Sequence, residues 1–224
     1  MIIAIDGPAG SGKSTTAKLA AQRLGVVHLD TGAMYRAITL KSLREGIRAD
    51  DTLSLEKLVA RTKIAFSGSP PGMRVWMDGE DITDAVRSDE VTKHVSDYCA
   101  PRVVRRAMVG QQRALARATD VVCEGRDIGT VVFPDADLKF FIVASVEERA
   151  RRRQKDFEKM GVRKGLEELC DEIAERDRKD STRRNSPLRK ADDAEEIDTT
   201  EMTIEEQVGH IVDRARARGY APRP

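Results

Sequence analysis

Aromatic residues are scarce in this chain, at 4% of 224 residues with a single Trp. That scarcity argues against a surface for single-stranded nucleic acid, which stacks bases on repeated rings. Charge of one sign is not in excess either. The 39 Lys and Arg against 38 Asp and Glu leave a net charge of +1. So even a balance lacks the field that broad nucleic-acid or membrane binding requires. No apolar run reaches the length of a membrane span. The N-terminal run Met1-Ile2-Ile3-Ala4-Ile5 stops at Asp6, so no signal peptide is expected. The three cysteines, Cys99, Cys123 and Cys170, are far apart and odd in number. They offer no metal-ligand spacing and point to a reducing, cytoplasmic setting. His28, His94 and His210 are equally scattered, and each is expected to be structural or superficial rather than a ligand or a base.

What is present begins with Gly7-Pro8-Ala9-Gly10-Ser11-Gly12-Lys13-Ser14, which fits G-x-x-x-x-G-K-[ST], the phosphate-binding P-loop. Its context fits too. Met1 to Asp6 reads as a short buried strand and Lys13 to Leu24 as a helix. Glycines let the backbone wrap an anion without Cβ clashes, and successive N–H groups at a helix N-terminus then face the phosphates. By this motif Lys13 reaches the β- and γ-phosphates of a nucleotide and the Ser14 hydroxyl holds Mg²⁺. The bland alternative is a Gly-rich turn of no chemical meaning, which the strand-to-helix placement disfavours.

The rest of the chain alternates in the manner of an α/β protein with a central parallel sheet. Val26 to Leu29 is a second strand, and Ala33 to Glu45 has helical spacing through Met34, Ile38 and Leu43. Thr52 to Ala60 reads as a helix, with Leu53, Leu55, Leu58 and Val59 apolar. The pattern then breaks. Ile64-Ala65-Phe66, the turn Ser67 to Gly72, and Val75 to Gly79 read as two strands of a hairpin-like insert, spanning residues 61–98. It is either a subdomain that closes over a ligand or an ordinary surface hairpin. Arg102 to Ala118 is helical, with Val104, Met108 and Leu115 able to face a core. Asp120 to Cys123 is a strand that ends at Glu124-Gly125-Arg126-Asp127, where open α/β sheets place ligands. Leu138 to Val143 is the next strand. A helix starts at Ser145 or Val146 and ends near Gly161, and another runs from Leu166 past Arg178. Ile197 lies in a final short strand, Thr203 and Glu206 form a capping box before the last helix, and the tail Arg218 to Pro224 is expected to fray.

Arg176, Asp180 and Arg183 share one helical face by their spacing. A solvated salt-bridged face would explain them. So would a mobile lid, spanning residues 150–184, that offers guanidinium forks to phosphates. The P-loop favours the lid, because a transferring phosphoryl group needs more positive charge than one Lys supplies. Thr31 in Asp30-Thr31-Gly32-Ala33-Met34-Tyr35-Arg36 is expected to cap its helix.

Taken together, these blocks resemble the bacterial cytidylate kinases. The resemblance is carried by Ile5 to Ser14, Leu29 to Arg36, Glu124 to Pro134, Glu175-Arg176-Asp177-Arg178, and Ile197-Asp198-Thr199-Thr200, in one collinear order over nearly the whole chain. It implies a P-loop three-layer sandwich with a nucleotide-binding insert and a helical lid. It also implies ATP-dependent phosphorylation of CMP and dCMP with Mg²⁺, by a cytoplasmic monomer that binds neither nucleic acid nor membrane. The resemblance places ATP on Gly7, Pro8, Ala9, Gly10, Ser11, Gly12, Lys13, Ser14 and Thr15. It places the CMP phosphate on Arg36, Arg126 and Arg176, the cytosine on Thr31, Arg105 and Asp127 with Arg183 nearby, and the sugar on Ser96, Arg176 and Asp180. Catalytic charge would come from Lys13, Arg126, Arg176 and Arg183. Arg102 and Arg106 compete with Arg105 for its register, and Arg149 and Arg153 are candidates for stacking on adenine.

The chemistry is coherent without the resemblance. A carboxylate suits the N4 amine of cytosine and an Arg suits the N3 and O2 acceptors, whereas uracil reverses the pattern. The nucleophile is already an anionic phosphate oxygen, so no general base is required. The rival readings are another small-molecule P-loop kinase, acting on AMP, UMP or a shikimate-like acceptor, and an ATPase or GTPase switch. The sequence has no Asn-Lys-x-Asp guanine-reading motif to favour a GTPase.

Overall fold

The computed structural model describes residues 1–68, 72–117, 119–159 and 161–220. The chain forms two compact units, Met1–His28 with Thr119–Pro224, and Leu29–Ala118. The second is wider than the insert expected at 61–98 and takes in the helices on either side.

The first unit is built on a sheet of five strands: β1 (Ile2–Asp6), β2 (Val27–Asp30, which leads the chain into the second unit), β6 (Val121–Gly125), β7 (Leu138–Val143) and β8 (Glu195–Asp198). Their order is β2-β6-β1-β7-β8. β1 runs parallel to β6 and β7, and β7 parallel to β8. Central parallel strands are covered on both faces, so β1 and β6 open on apolar runs, Ile2 to Ile5 and Val121 to Cys123, and are buried along nearly their whole length. β7 instead alternates, with Leu138, Phe140 and Ile142 turned inward. Those three pack with Ile3, Ile5, Val122 and Ile197 against two helices, α1 (Lys13–Leu24) and α8 (Ile204–Ala217). α1 supplies Ala17, Ala20, Ala21 and Leu24, a stripe at helical spacing. Each large side chain fully buried here contributes about 1.5–3 kcal/mol. The Thr203–Glu206 capping box expected for α8 is formed reciprocally.

Two further helices, α6 (Val146–Lys159) and α7 (Leu166–Thr182), pair through their own small core of Ala150, Phe157, Leu169 and Ile173. α7 ends before Arg183, so that residue is not on the helical face with Arg176 and Asp180 but in the cap that follows. A π turn at Ile128–Val132, which periodicity did not suggest, follows β6. The tail is not frayed from Arg218. Tyr220 packs on the α1–α8 core and its hydroxyl donates to Leu24 O at 3.1 Å. Residues 221–224 lie outside the described residues.

The second unit holds α2 (Thr31–Arg44), α3 (Thr52–Arg61), α4 (Asp89–Cys99), α5 (Arg102–Ala116) and a small antiparallel sheet of β3 (Ile64–Ser67), β4 (Arg74–Met77) and β5 (Glu80–Asp81). Where two strands were expected there are three. Asp78 and Gly79 both have positive φ, 54° and 91°, which is the type I′ geometry that joins hairpin strands through Asp-Gly. Residues 69–71, in the expected turn between β3 and β4, lie outside the described residues. The sheet buries Val75 and Met77 with Ile82 and Val86 against Ala33 and Ala37 of α2. Two apolar assignments are corrected: Leu53 is 73% exposed and Leu115 is 43% exposed. Buried positions of α5 are Val104, Met108, Gln112 and Ala116, four residues apart, with Arg105 beside the first of them.

The docked tail gives the first prediction. Tyr220→Phe should lower stability by about 1 kcal/mol, the usual net value of one lost hydrogen bond, in urea unfolding. An unchanged midpoint would mean the tail adds nothing beyond its ring contacts.

Candidate active site

The P-loop is shaped by where its carbonyls go. Pro8 O accepts from Ser11 Oγ at 3.1 Å and from Lys13 Nζ at 3.2 Å. Ala9 O accepts from Arg149 Nη1 of α6 at 3.1 Å. Ser11 O accepts from Thr199 Oγ1 at 3.0 Å. With these carbonyls held by protein donors, the loop's N–H groups are available to an anion at the head of α1. Gly7 is required by close approach: a Cβ there would sit 2.1 Å from Ile142 O, and its φ of 151° disfavours side chains. At Gly10, φ is 78° and a Cβ would press on Arg149 Cβ at 3.2 Å.

Lys13 is buried, whereas Ser14 and Thr15 are exposed at the start of α1. Ser14 Oγ donates to Glu124 Oε2 at 2.6 Å. Glu124 Oε1 lies 3.2 Å from His28 Nε2. Burial pushes the Glu124 carboxyl up, but His28, Lys13 and Ser14 together bring it below the usual range. Glu124 is therefore a buried carboxylate at the carboxyl end of β6, beside the P-loop. It stood at a sheet edge in the sequence, yet nothing there showed that Ser14 would be its partner.

Asp6 closes β1 and accepts from the backbone N–H groups of Ile128 and Gly129, both at 2.8 Å. It thus satisfies the donors at the head of the π turn, which periodicity could not reveal. Burial dominates these two bonds and raises its pKa from 3.8 to about 6.

Beyond the π turn's entry the first unit gathers a compact set of opposite charges. Arg126 Nε donates to Asp180 Oδ2 at 2.9 Å. Arg183 lies 3.8 Å from Asp180 and 3.9 Å from Asp127, all of them buried. Burial pushes the Asp180 carboxyl up, and Arg126, Arg176 and Arg183 more than offset that, leaving it lowered. Arg126 itself is raised, since the carboxylates of Asp180, Glu124 and Asp177 outweigh burial. These are no solvated helix pairs; the exposed pair on α7 is Arg178 with Glu175. Arg149, a candidate for adenine stacking, is instead 4% exposed and holds Ala9 O, Ala144 O and Asp177. Arg153 lies 5.0 Å over the Phe157 ring.

In the second unit, Asp30 rather than Thr31 caps α2, its carboxylate accepting from Ala33 N at 2.9 Å. Thr31 is the first helical residue and is buried one turn before Tyr35. Of Arg102, Arg105 and Arg106, only Arg105 is buried. Its guanidinium lies 5.0 Å over the Tyr35 ring and donates to Cys99 O at 3.3 Å, whereas Arg102 is exposed and Arg106 pairs with Glu56 on the surface. Arg36 donates to Val86 O and to Thr92 Oγ1 at 2.8 Å, and Ser96 follows Thr92 by one turn of α4.

The sequence matches the cytidylate kinase family over residues 3–217. The chain belongs to that family. It is 51% identical to the cytidylate kinase of Geobacillus thermodenitrificans strain NG80-2, over 96% of each chain. With the cytidylate kinase of Geobacter sulfurreducens the identity is 48%, over 99% of this chain and 95% of the relative. A crystal structure of an uncharacterized protein from Eubacterium ventriosum shares the fold at a TM-score of 0.54 and 14% identity, over 97% and 99% of the two chains. Within this cytidylate kinase fold, Asp6, Glu124, Arg149 and Thr199 support the P-loop and its surroundings through contacts that motif spacing did not show.

Asp6 gives a pH prediction. Between pH about 4 and 6 the folded chain holds a proton that the unfolded chain has lost, so the Asp6 contribution to stability falls as pH rises through that window. Asp6→Asn removes the titration. Its stability relative to the parent should rise by on the order of 2–3 kcal/mol from pH about 4 to pH about 7, by urea unfolding at both. A constant difference would show that Asp6 titrates normally.

Proposed function

We propose that this chain transfers the γ-phosphoryl group of ATP to CMP or dCMP, releasing ADP and the nucleoside diphosphate. The observation that carries the reading is a P-loop tied down by its carbonyls, in the same unit as half-buried Arg126, Arg176 and Arg183 gathered around the buried carboxylate of Asp180. Gly7 to Thr15 would cradle the ATP phosphates with Lys13 on the transferring end. Ser14, held by Glu124, fits Mg²⁺. This ion accepts one or two protein oxygens and completes its shell with phosphate oxygens and water, so a dedicated cage of carboxylates is not needed.

Arg36, Arg126 and Arg176 would hold the acceptor phosphate, with Ser96, Arg176 and Asp180 meeting the sugar and Arg183 near the base. An Arg already paired with one carboxylate still has donors left, since a guanidinium carries five N–H groups in a fork. The carboxylates would keep the arginines in place, oriented before the anion arrives. Thr31, Arg105 and Asp127 would read cytosine, Asp127 taking the N4 amine. Catalysis is then positioning and charge neutralisation between two polyanions. Closure of the α6–α7 hairpin and of residues 61–98 would exclude water and suppress futile hydrolysis. The reading is of a cytoplasmic monomer acting on free nucleotides.

A coupled ADP-release assay with Mg-ATP against CMP, dCMP, UMP, AMP and shikimate, with a no-acceptor control, tests this. Strong CMP and dCMP turnover with weak UMP is expected. Hydrolysis independent of acceptor would replace the kinase reading with an ATPase switch. Lys13→Ala should lose at least about a hundredfold in turnover, the scale of removing one charge-stabilising donor. Asp127→Ala should narrow the CMP-over-UMP preference while leaving the KM for ATP in place. An unchanged preference would exclude Asp127 as the base reader.

A further inference from the structure

His28 is the one buried histidine among the described residues, and the proposed reaction has no use for it as a base. It sits on β2, the strand next to β6, with Nε2 3.2 Å from Glu124 Oε1. A carboxylate can only accept, so Nε2 carries the hydrogen and the ring is fixed in that tautomer. The other Glu124 oxygen receives the Ser14 hydroxyl at 2.6 Å. A hydroxyl has one hydrogen and two lone pairs. With its hydrogen turned to Glu124, Ser14 presents its lone pairs to a cation at the head of α1.

We propose that His28 is a positioning residue for phosphoryl transfer, holding Glu124 in the rotamer that turns the Ser14 lone pairs toward the nucleotide-bound metal. The proposal rests on Ser14 being the metal-bearing residue. The groups bearing on Glu124 make the chain specific. Lys13 and Arg126 supply charge from the P-loop and the β6 loop, while His28 and Ser14 each hydrogen-bond one of its two oxygens. Without the His28 donor, Glu124 can swing to Lys13 or Arg126, and the Ser14 hydroxyl is free to rotate. Groups that orient a metal's ligand from behind are typically worth about 10–100-fold in metal affinity or activity.

The test uses the full-length protein with a non-hydrolysable ATP analogue and Mn²⁺ as a paramagnetic substitute for Mg²⁺, read by electron paramagnetic resonance. Kinase assays at varied free Mg²⁺ run alongside. His28→Phe, a ring of similar size without the donor, should weaken Mn²⁺ binding to the nucleotide complex by about tenfold or more. It should also lower kcat and leave the KM for CMP unchanged. His28→Gln, whose amide N–H can reach the place of Nε2, should recover most of the loss. His28→Asn, one bond shorter, should not. If His28→Phe fails to fold, the Gln and Asn pair carries the same comparison. Equal Mn²⁺ affinity in Gln and Asn variants, or full affinity in His28→Phe, overturns the role of His28. Ser14→Ala is the control for the underlying reading. If it binds Mn²⁺ as the parent does, Ser14 is not the metal-bearing residue and the proposal falls with it, whereas a weakened Ser14→Ala beside an unaffected His28→Phe removes His28 alone.

Discussion

The tying-down of P-loop carbonyls is the constraint on which the first unit depends. A backbone that offers its N–H groups to one anion must send its C=O groups elsewhere, and buried carbonyls need donors. Here the donors come from distant parts of the chain. Arg149 on α6 takes Ala9 O, Thr199 after β8 takes Ser11 O, and Lys13 and Ser11 take Pro8 O from within the loop. Thr199 is held in turn, its backbone N–H donating to Val143 O at 2.8 Å while Arg152 binds its carbonyl at 2.6 Å. The loop is thus fastened to β7, β8 and α6 at once, so its shape is a property of the folded unit more than of its glycines. Arg149 also pairs with Asp177 of α7 at 2.7 Å, so the same guanidinium joins the P-loop to the helix that carries Arg176 and Asp180.

A second constraint is the storage of positive charge. Arg126, Arg176 and Arg183, half-buried and close to one carboxylate, would repel one another if left bare. Asp180, with Asp127 on the opposite side of Arg183, lowers that cost in the absence of ligand. Burying an ion pair costs desolvation, and its value here lies in fixing geometry more than in stability. An anion arriving at such a cluster meets donors already aimed, which avoids reorganisation at the moment of reaction.

What the sequence made legible follows from which interactions are local. The P-loop was readable because its chemistry is held in eight consecutive residues, and the sheet strands because burial on both faces leaves continuous apolar runs. The Thr203–Glu206 box was readable because its partners are three residues apart. β5 was missed although Asp78-Gly79 is a strong hairpin signal, since the strand after it is only two residues long. Leu53 and Leu115 were misassigned because a leucine at helical spacing does not reveal which side of the helix is covered. The cap on α2 was read one residue late, since Asp30 and Thr31 are both competent caps and only backbone geometry separates them. Glu124, His28 and Asp6 belong to contacts 96 to 123 residues apart, which no spacing rule reaches.

The buried carboxylates of the first unit show how one residue type is put to different uses by its surroundings. Asp6 has two backbone donors but no cation in hydrogen-bonding contact, and burial carries its pKa up to about 6. It suits fixing backbone at the π turn, a task that survives a change of protonation better than charge pairing does. Glu124 and Asp180 are as deeply buried, yet His28 and Lys13 for one, and three arginines for the other, hold both below their usual range. They stay anionic and can orient cationic or hydroxyl partners at neutral pH. Glu124 and Asp180, held low, are not tuned as proton acceptors for a nucleophile, as a kinase acting on alcohols would require, and both Asp6 oxygens are taken up by backbone N–H groups. For an acceptor that is itself a phosphate, the nucleophile arrives deprotonated. The acids are then free to orient other side chains, as Glu124 does with the Ser14 hydroxyl and Asp180 with the Arg126 guanidinium.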